Sequence, residues 1–119
     1  MEDRDLIYTD NTMDLSEKKC KPCEGGIPRL GPKEINELKV HIKKDWEISE
    51  NKKLIKEYSF VNYRHTMDFV NKAAQLAEDE GHHPVMHVYY GRVVVELWTH
   101  AVDGLSENDF IMAYKIDKI

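Results

Sequence analysis

Histidines are the residues of this chain most suited to chemistry. Of the six present, four fall close together in the second half of the sequence: His82, His83, His87 and His100. Imidazole titrates near neutral pH, so two of these rings can supply a proton donor and a proton acceptor. Elimination of water needs both roles, because a hydroxyl group leaves far better once it is protonated. The other two histidines lie among charged neighbours on predicted helices and are expected to be surface or structural.

The surroundings of the histidine pair favour a functional site. His82 and His83 sit between Gly81 and Pro84, at a predicted junction of a helix and a strand. Junction loops on a rigid scaffold often carry functional side chains. Glu78 precedes His82 by one helical turn and is expected to face the same spot. His100 follows a valine-rich strand that a hairpin would fold back near the pair. The alternative reading is a loop with two exposed rings.

A metal site is the competing interpretation of the same cluster. Together with Glu78, the four histidines offer enough nitrogen and oxygen ligands for zinc or iron. Adjacent histidines rarely face one ion, however, and no clean spacing of two histidines and an acid is present. We therefore expect no metal and no cofactor.

Two cysteines, Cys20 and Cys23, have the spacing of a zinc or redox pair. A structural zinc site usually needs a second such pair, and a thioredoxin-like motif needs a following helix, but glycines and prolines follow here. Structural roles are expected for both cysteines.

The hydrophobic patterns predict the elements that must position these residues. A helix is expected from Pro32 to about residue 44, and strands at 46–48 and 54–60. A five-turn helix follows from residue 62 to 81, then a hairpin of strands 85–90 and 92–99. Ser106 and Asp109 have the spacing of a helix cap and begin the last helix. This α-β-β-α-β-β-α order predicts an α+β fold, with a four-stranded antiparallel sheet and helices packed on one face.

Composition narrows the class of protein. A chain of 119 residues suits one domain, and its net charge of −5 argues against direct nucleic-acid binding. No apolar run is long enough to span a membrane, and the acidic N-terminus lacks the features of a secretory signal. A cytoplasmic location, without membrane or nucleic-acid partners, is expected.

One run of residues resembles a known family. The run Glu78-Asp79-Glu80-Gly81-His82-His83-Pro84, then Tyr90, Thr99-His100 and Asp109, resembles the signature of the pterin-4a-carbinolamine dehydratases. Trp98 with the 104–110 segment, and the stretch from Cys20 to Leu30, look like the bacterial branch. The resemblance covers about residues 18–119, so a single domain is expected there, with residues 1–17 as an irregular N-terminal extension.

The resemblance implies an α+β domain that dehydrates 4a-hydroxytetrahydropterin to quinonoid dihydropterin without a metal. That step recycles tetrahydrobiopterin for aromatic amino-acid hydroxylases, so a functional link to such an enzyme is expected. His82, His83 and His100 match the active-site histidines. Supporting or substrate-binding positions are Glu78, Pro84, Tyr90, Thr99 and Asp109. Asp109 is also the third residue of a predicted helix, so a purely capping role stays open. A homodimer or homotetramer is expected.

Alternatives remain on the sequence alone. Met86 stands where some relatives carry an aromatic residue, and His87 is an additional histidine, so the pterin side chain is left open. Some animal members of the family act as dimerisation cofactors of a transcription factor, so a non-catalytic interaction module is the alternative. An assembly role in molybdopterin metabolism is a third reading that no residue favours. The intact histidine set favours the enzyme.

Overall fold

The computed structural model describes residues 15–21 and 26–119. Within these ranges the chain forms three α-helices, α1 (Pro32–Lys39), α2 (Tyr63–Glu80) and α3 (Glu107–Ile116). Four strands accompany them: β1 (Glu47–Ser49), β2 (Lys53–Ser59), β3 (Val85–Val88) and β4 (Arg92–Leu97). Short 3-10 turns lie at Leu15–Glu17 and His100–Val102. The predicted order of elements is confirmed.

The four strands form one sheet in the order β1-β2-β4-β3, and every pairing is antiparallel. Residues alternate between the two faces, so that Val93, Val95 and Leu97 are fully buried while Val94 and Glu96 between them are not. The buried face meets the helices in one core. This is the predicted α+β architecture with helices on one face.

Helix α1 is shorter than predicted. Leu38 and Ile42 keep helical spacing and both are buried, but the helix ends at Lys39 and its C-cap is Val40. The chain then continues in turns, in which the His41 amide donates to the Leu38 carbonyl. Ile42 therefore reaches the core from a turn, which explains why periodicity alone extended the helix to residue 44.

The boundary predicted at residue 18 remains a prediction, but the core begins before it. Leu15 is 1% exposed and packs among core residues. The described part of the N-terminal segment therefore contributes to the same core as residues 28–119. In the described ranges, no helix is both long enough and apolar enough to cross a membrane.

A buried ion cluster ties the C-terminal end of α3 to the sheet. Asp117 accepts hydrogen bonds from Trp46 Nε1 at 2.8 Å, Lys56 Nζ at 2.7 Å and the Tyr58 hydroxyl at 2.6 Å. Lys56 lies at an inward position of β2, and its ammonium also contacts the exposed Asp45. Burial and the Asp117 carboxylate both raise the pKa of Tyr58, so its hydroxyl stays protonated and donates.

Replacing this carboxylate is expected to destabilise the fold. Asp117→Ala leaves a buried ammonium, a phenol and an indole without their shared acceptor, at a cost of about 3 kcal/mol in the free energy of unfolding. Urea unfolding measures the loss. Asp68→Ala, an exposed position on α2, is the control and should change the free energy by less than about 0.5 kcal/mol. A loss below about 1 kcal/mol for Asp117→Ala would show that the cluster is solvated.

Candidate active site

The C-terminal end of α2 places His82. Gly81 adopts a left-handed conformation with φ of 70°, and its amide donates to the Ala77 carbonyl at 2.8 Å. Glycine has no Cβ to oppose this conformation, so the helix ends there and the chain reverses direction. The reversal brings the His82 side chain inward, where it is buried.

The N-terminal end of α3 places Asp109. Its carboxylate accepts the Ser106 amide at 3.0 Å, which is the helix cap that the sequence predicts. The flanking Leu105 and Phe110 are fully buried, and Asp109 itself has no exposed surface. The cap thereby fixes a carboxylate inside the protein.

Asp109 and His82 meet in the interior. His82 Nε2 lies 2.7 Å from Asp109 Oδ1, and the Thr99 hydroxyl donates to Oδ2 at 2.8 Å. The Ser106 hydroxyl lies 2.7 Å from that of Thr99. We call these four residues the carboxylate cluster. An ionised carboxylate only accepts hydrogen bonds, so His82 donates from Nε2 and its Nδ1 is left to accept a proton.

His83 is paired differently. Its Nε2 lies 2.7 Å from Glu78 Oε2, and both side chains are more than half exposed. Glu78 stands one helical turn before His82, so the predicted proximity of the acid to the histidine pair is found, but its partner is His83. This second histidine–carboxylate pair faces solvent beside the buried one.

His100 lies next to the carboxylate cluster along the chain. It directly follows Thr99, and adjacent Cα atoms are about 3.8 Å apart. Its exposed ring packs against Trp98 at a tilt of 38°, with 4.5 Å between the ring centroids. His82 and Thr99 bind the same carboxylate, so His83 and His100 each directly follow a residue of the carboxylate cluster.

Two residues singled out in the sequence lie elsewhere. Tyr90 is in the turn after β3, where it stacks on Tyr63 at 6.1 Å. Strand β3 lies between Tyr90 and Pro84 and spans a distance on the order of 15 Å at the usual rise per residue. His87 pairs with Glu96 at 2.8 Å on the sheet face opposite the helices. Neither side chain contacts the carboxylate cluster.

Sequence reasoning noted Ser106 only as a cap and Trp98 only as part of the resemblance. Ser106 closes the cluster through Thr99, and Trp98 carries the ring of His100. For Ser106, the available signal was its spacing from Asp109, which predicts a helix cap. For Trp98, the signal was its position directly before Thr99-His100.

Cys20 lies beside this region as a free thiol. Burial, followed by the charge of Glu80, raises the pKa of Cys20 to about 12, so the thiol stays protonated. Its predicted neighbour in the motif, Cys23, lies outside the described residues. Across ranges 15–21 and 26–119, no three histidine, cysteine or acidic side chains are grouped so as to hold a metal ion.

Comparison with known proteins gives the family of this chain. The family model for pterin 4 alpha carbinolamine dehydratase matches residues 28–119. The chain belongs to this dehydratase family. A Rickettsia canadensis protein named for pterin-4-alpha-carbinolamine dehydratase is 50% identical over 103 residues, which are 87% of this chain and 94% of the relative.

Solved structures of the dehydratase family share the fold. A transcriptional coactivator/pterin dehydratase from Brucella melitensis matches with a TM-score of 0.71 at 30% identity, covering 76% of this chain and 97% of that one. A pterin dehydratase-like protein, identified as a RuBisCO assembly factor in the alpha-carboxysome, matches with a TM-score of 0.55 at 25% identity. It covers 62% of this chain and 87% of its own.

Proposed function

We propose that this chain catalyses the dehydration of 4a-hydroxytetrahydropterin to quinonoid dihydropterin, with histidines as the acid and the base. The names of its relatives and the family match support the reaction class. The observation that carries the histidine mechanism is the buried His82–Asp109 hydrogen bond, and His83 and His100 each directly follow a residue that binds Asp109. Burying an ionised carboxylate costs desolvation free energy, which the three hydrogen-bond donors to Asp109 offset.

In the proposed step, one histidine accepts the proton of pterin N5. The electron pair of the N5–H bond forms the C4a–N5 double bond, while the C4a–O bond breaks. A second histidine protonates the departing hydroxyl, which leaves as water, so that neither oxidant nor metal is required for balance.

His82 suits the role of base, because Asp109 holds its Nε2 proton and stabilises the imidazolium that forms when Nδ1 accepts a proton. His83 and His100 are the candidate acids. His83 is hydrogen-bonded to Glu78, whereas His100 packs against the ring of Trp98. Glu78 would orient His83. Pro84 would restrict the backbone conformation directly after His83. Thr99 would act through Asp109. The position of Tyr90 gives it no direct role at the carboxylate cluster, so its contribution would be to the turn.

The test is the dehydration rate of freshly generated 4a-hydroxytetrahydropterin, measured with and without protein and with and without a chelator. The expected result is acceleration by the protein that the chelator leaves unchanged. No acceleration would contradict the proposal for this substrate. Loss of acceleration on chelation would contradict the metal-free mechanism.

We further propose that the chain forms a homodimer or homotetramer. It acts in the cytoplasm, where the dehydration is one step in recycling tetrahydrobiopterin for an aromatic amino-acid hydroxylase. The support for self-association is the edge strand β3, whose end carries the exposed side chains Val88, Tyr89 and Tyr90. Sedimentation measures the mass of the particle, and a monomer would contradict self-association.

The alternative function is a non-catalytic interaction module. The Brucella melitensis neighbour is called a coactivator as well as a dehydratase, and the RuBisCO assembly factor is called dehydratase-like. The buried His82–Asp109 hydrogen bond, which leaves His82 Nδ1 to accept a proton, favours the enzyme, since an interaction surface does not require a histidine buried against a carboxylate. Acceleration in the assay above separates the two.

A further inference from the structure

The segment Leu15–Lys21, here called the N-terminal strap, bridges two helix ends. It precedes the residues that the family model matches, which begin at 28. Leu15 anchors it in the core beside α3, and Lys19 Nζ donates to the Asp79 carbonyl at the end of α2. The ends that it bridges are those that place His82 and Asp109.

On the α3 side, the strap is held by Asn108. The Lys21 amide donates to Asn108 Oδ1 at 2.9 Å, and Asn108 Nδ2 donates to the Lys21 carbonyl at 2.8 Å. This pair of hydrogen bonds satisfies both ends of a side chain that is 1% exposed. Asn108 directly precedes Asp109, so its position and that of the carboxylate are coupled by one peptide unit.

On the α2 side, the strap is held by Glu80. The Cys20 amide donates to Glu80 Oε1 at 2.9 Å, and Lys115 Nζ donates to Oε2 at 2.7 Å. Burial raises the pKa of Glu80, but these two hydrogen bonds and the Lys115 charge outweigh it and lower the pKa overall. Glu80 therefore stays charged and joins the strap, α2 and α3 two residues before His82.

We propose that the N-terminal strap positions the His82–Asp109 pair, with Asn108 and Glu80 as its two positioning residues. The strap cross-links the end of α2 to the start of α3, and the 2.7 Å contact of His82 with Asp109 spans the same junction. Releasing the strap lets the two ends separate and admits water to the buried hydrogen bond. This inference rests on the proposed function where it concerns catalysis, but the hydrogen bond itself exists without substrate.

Two variants release the strap at different points, one at Asn108 and one at Leu15. Asn108→Ala removes both hydrogen bonds to Lys21. Leu15→Ala removes the core anchor while every residue of α2, α3 and the carboxylate cluster keeps its own side chain. Leu38→Ala is the matched control, because Leu38 on α1 is equally buried and its truncation opens a similar cavity. Thermal unfolding checks that each variant is folded.

The first readout is the exchange of the His82 Nε2 proton with solvent, followed by NMR without substrate and assigned by its loss in His82→Gln. The second is kcat and KM for the pterin dehydration. Both strap variants are expected to exchange at least tenfold faster and to lose about tenfold in kcat, with KM changed less than twofold. For Leu38→Ala, the proton exchange rate, kcat and KM should each stay within about twofold of the unmodified protein, although the unfolding temperature falls.

Unchanged exchange in Asn108→Ala would overturn the proposal, as would equally fast exchange in Leu38→Ala. Faster exchange with an unchanged kcat would overturn the link to catalysis. If the unmodified protein shows no dehydratase activity, the proposed function fails, while the exchange measurement still decides whether the strap holds the His82–Asp109 pair.

Discussion

Asp109→Asn is expected to lower kcat for the pterin dehydration by about 10³–10⁴-fold while the protein stays folded. The asparagine oxygen can still accept from Ser106 and Thr99, so the helix cap is preserved. Its amide, however, turns an N–H towards His82 Nε2, which must then accept. The ring proton moves to Nδ1, and the atom that would take the substrate proton is blocked.

This variant separates the two roles that the sequence leaves open for Asp109. If the carboxylate serves only as a cap, Asp109→Asn keeps kcat within about threefold and loses only stability, by about 1 kcal/mol. Steady-state kinetics and urea unfolding of the same preparation measure both quantities. Asp68→Asn, at an exposed position of α2, is the matched control and should change neither.

His82→Ala is expected to lower kcat by about 10²–10⁴-fold, which is the usual contribution of a positioned acid or base. The substitution also leaves Asp109 Oδ1 without its donor inside the protein, so the free energy of unfolding should fall by about 1–3 kcal/mol. A chelator added to the unmodified protein is expected to leave kcat unchanged. The combined result would assign the proton transfer to the histidine.

His65→Ala is the control, because His65 is an exposed histidine on α2. It should leave kcat within about twofold, since exposed substitutions rarely perturb a distant site. A His82→Ala variant that retains full kcat would contradict the proposed base. The base would then have to be sought among His83 and His100, with His83→Ala and His100→Ala.

The helices and strands could be predicted where local chemistry decides them. Asn62 and Gly81 bound α2 as the pattern indicates, since an amide side chain accepts from the His65 amide and a glycine takes the left-handed conformation. The cap at Ser106 and Asp109 was equally local. Alternation in β2 was harder to detect, because Lys56 occupies an inward position that is normally apolar.

That inward lysine shows where sequence reasoning stops. Its position depends on Asp117, a residue 61 positions away, whose carboxylate makes the buried charge tolerable. No pattern within a single strand contains this information. The end of α1 is a similar case, because Ile42 has helical spacing but reaches the core from a turn.

For the candidate site, the sequence by itself determined which residue types are present and that Glu78 lies one helical turn before His82. Only the tertiary structure decided the partners of the histidines. His82 pairs with Asp109, His83 with Glu78, and His87 with Glu96 on the other sheet face. The physical reason is that spacing along a helix or strand fixes a face, whereas a hydrogen bond between distant elements depends on how the helices pack on the sheet.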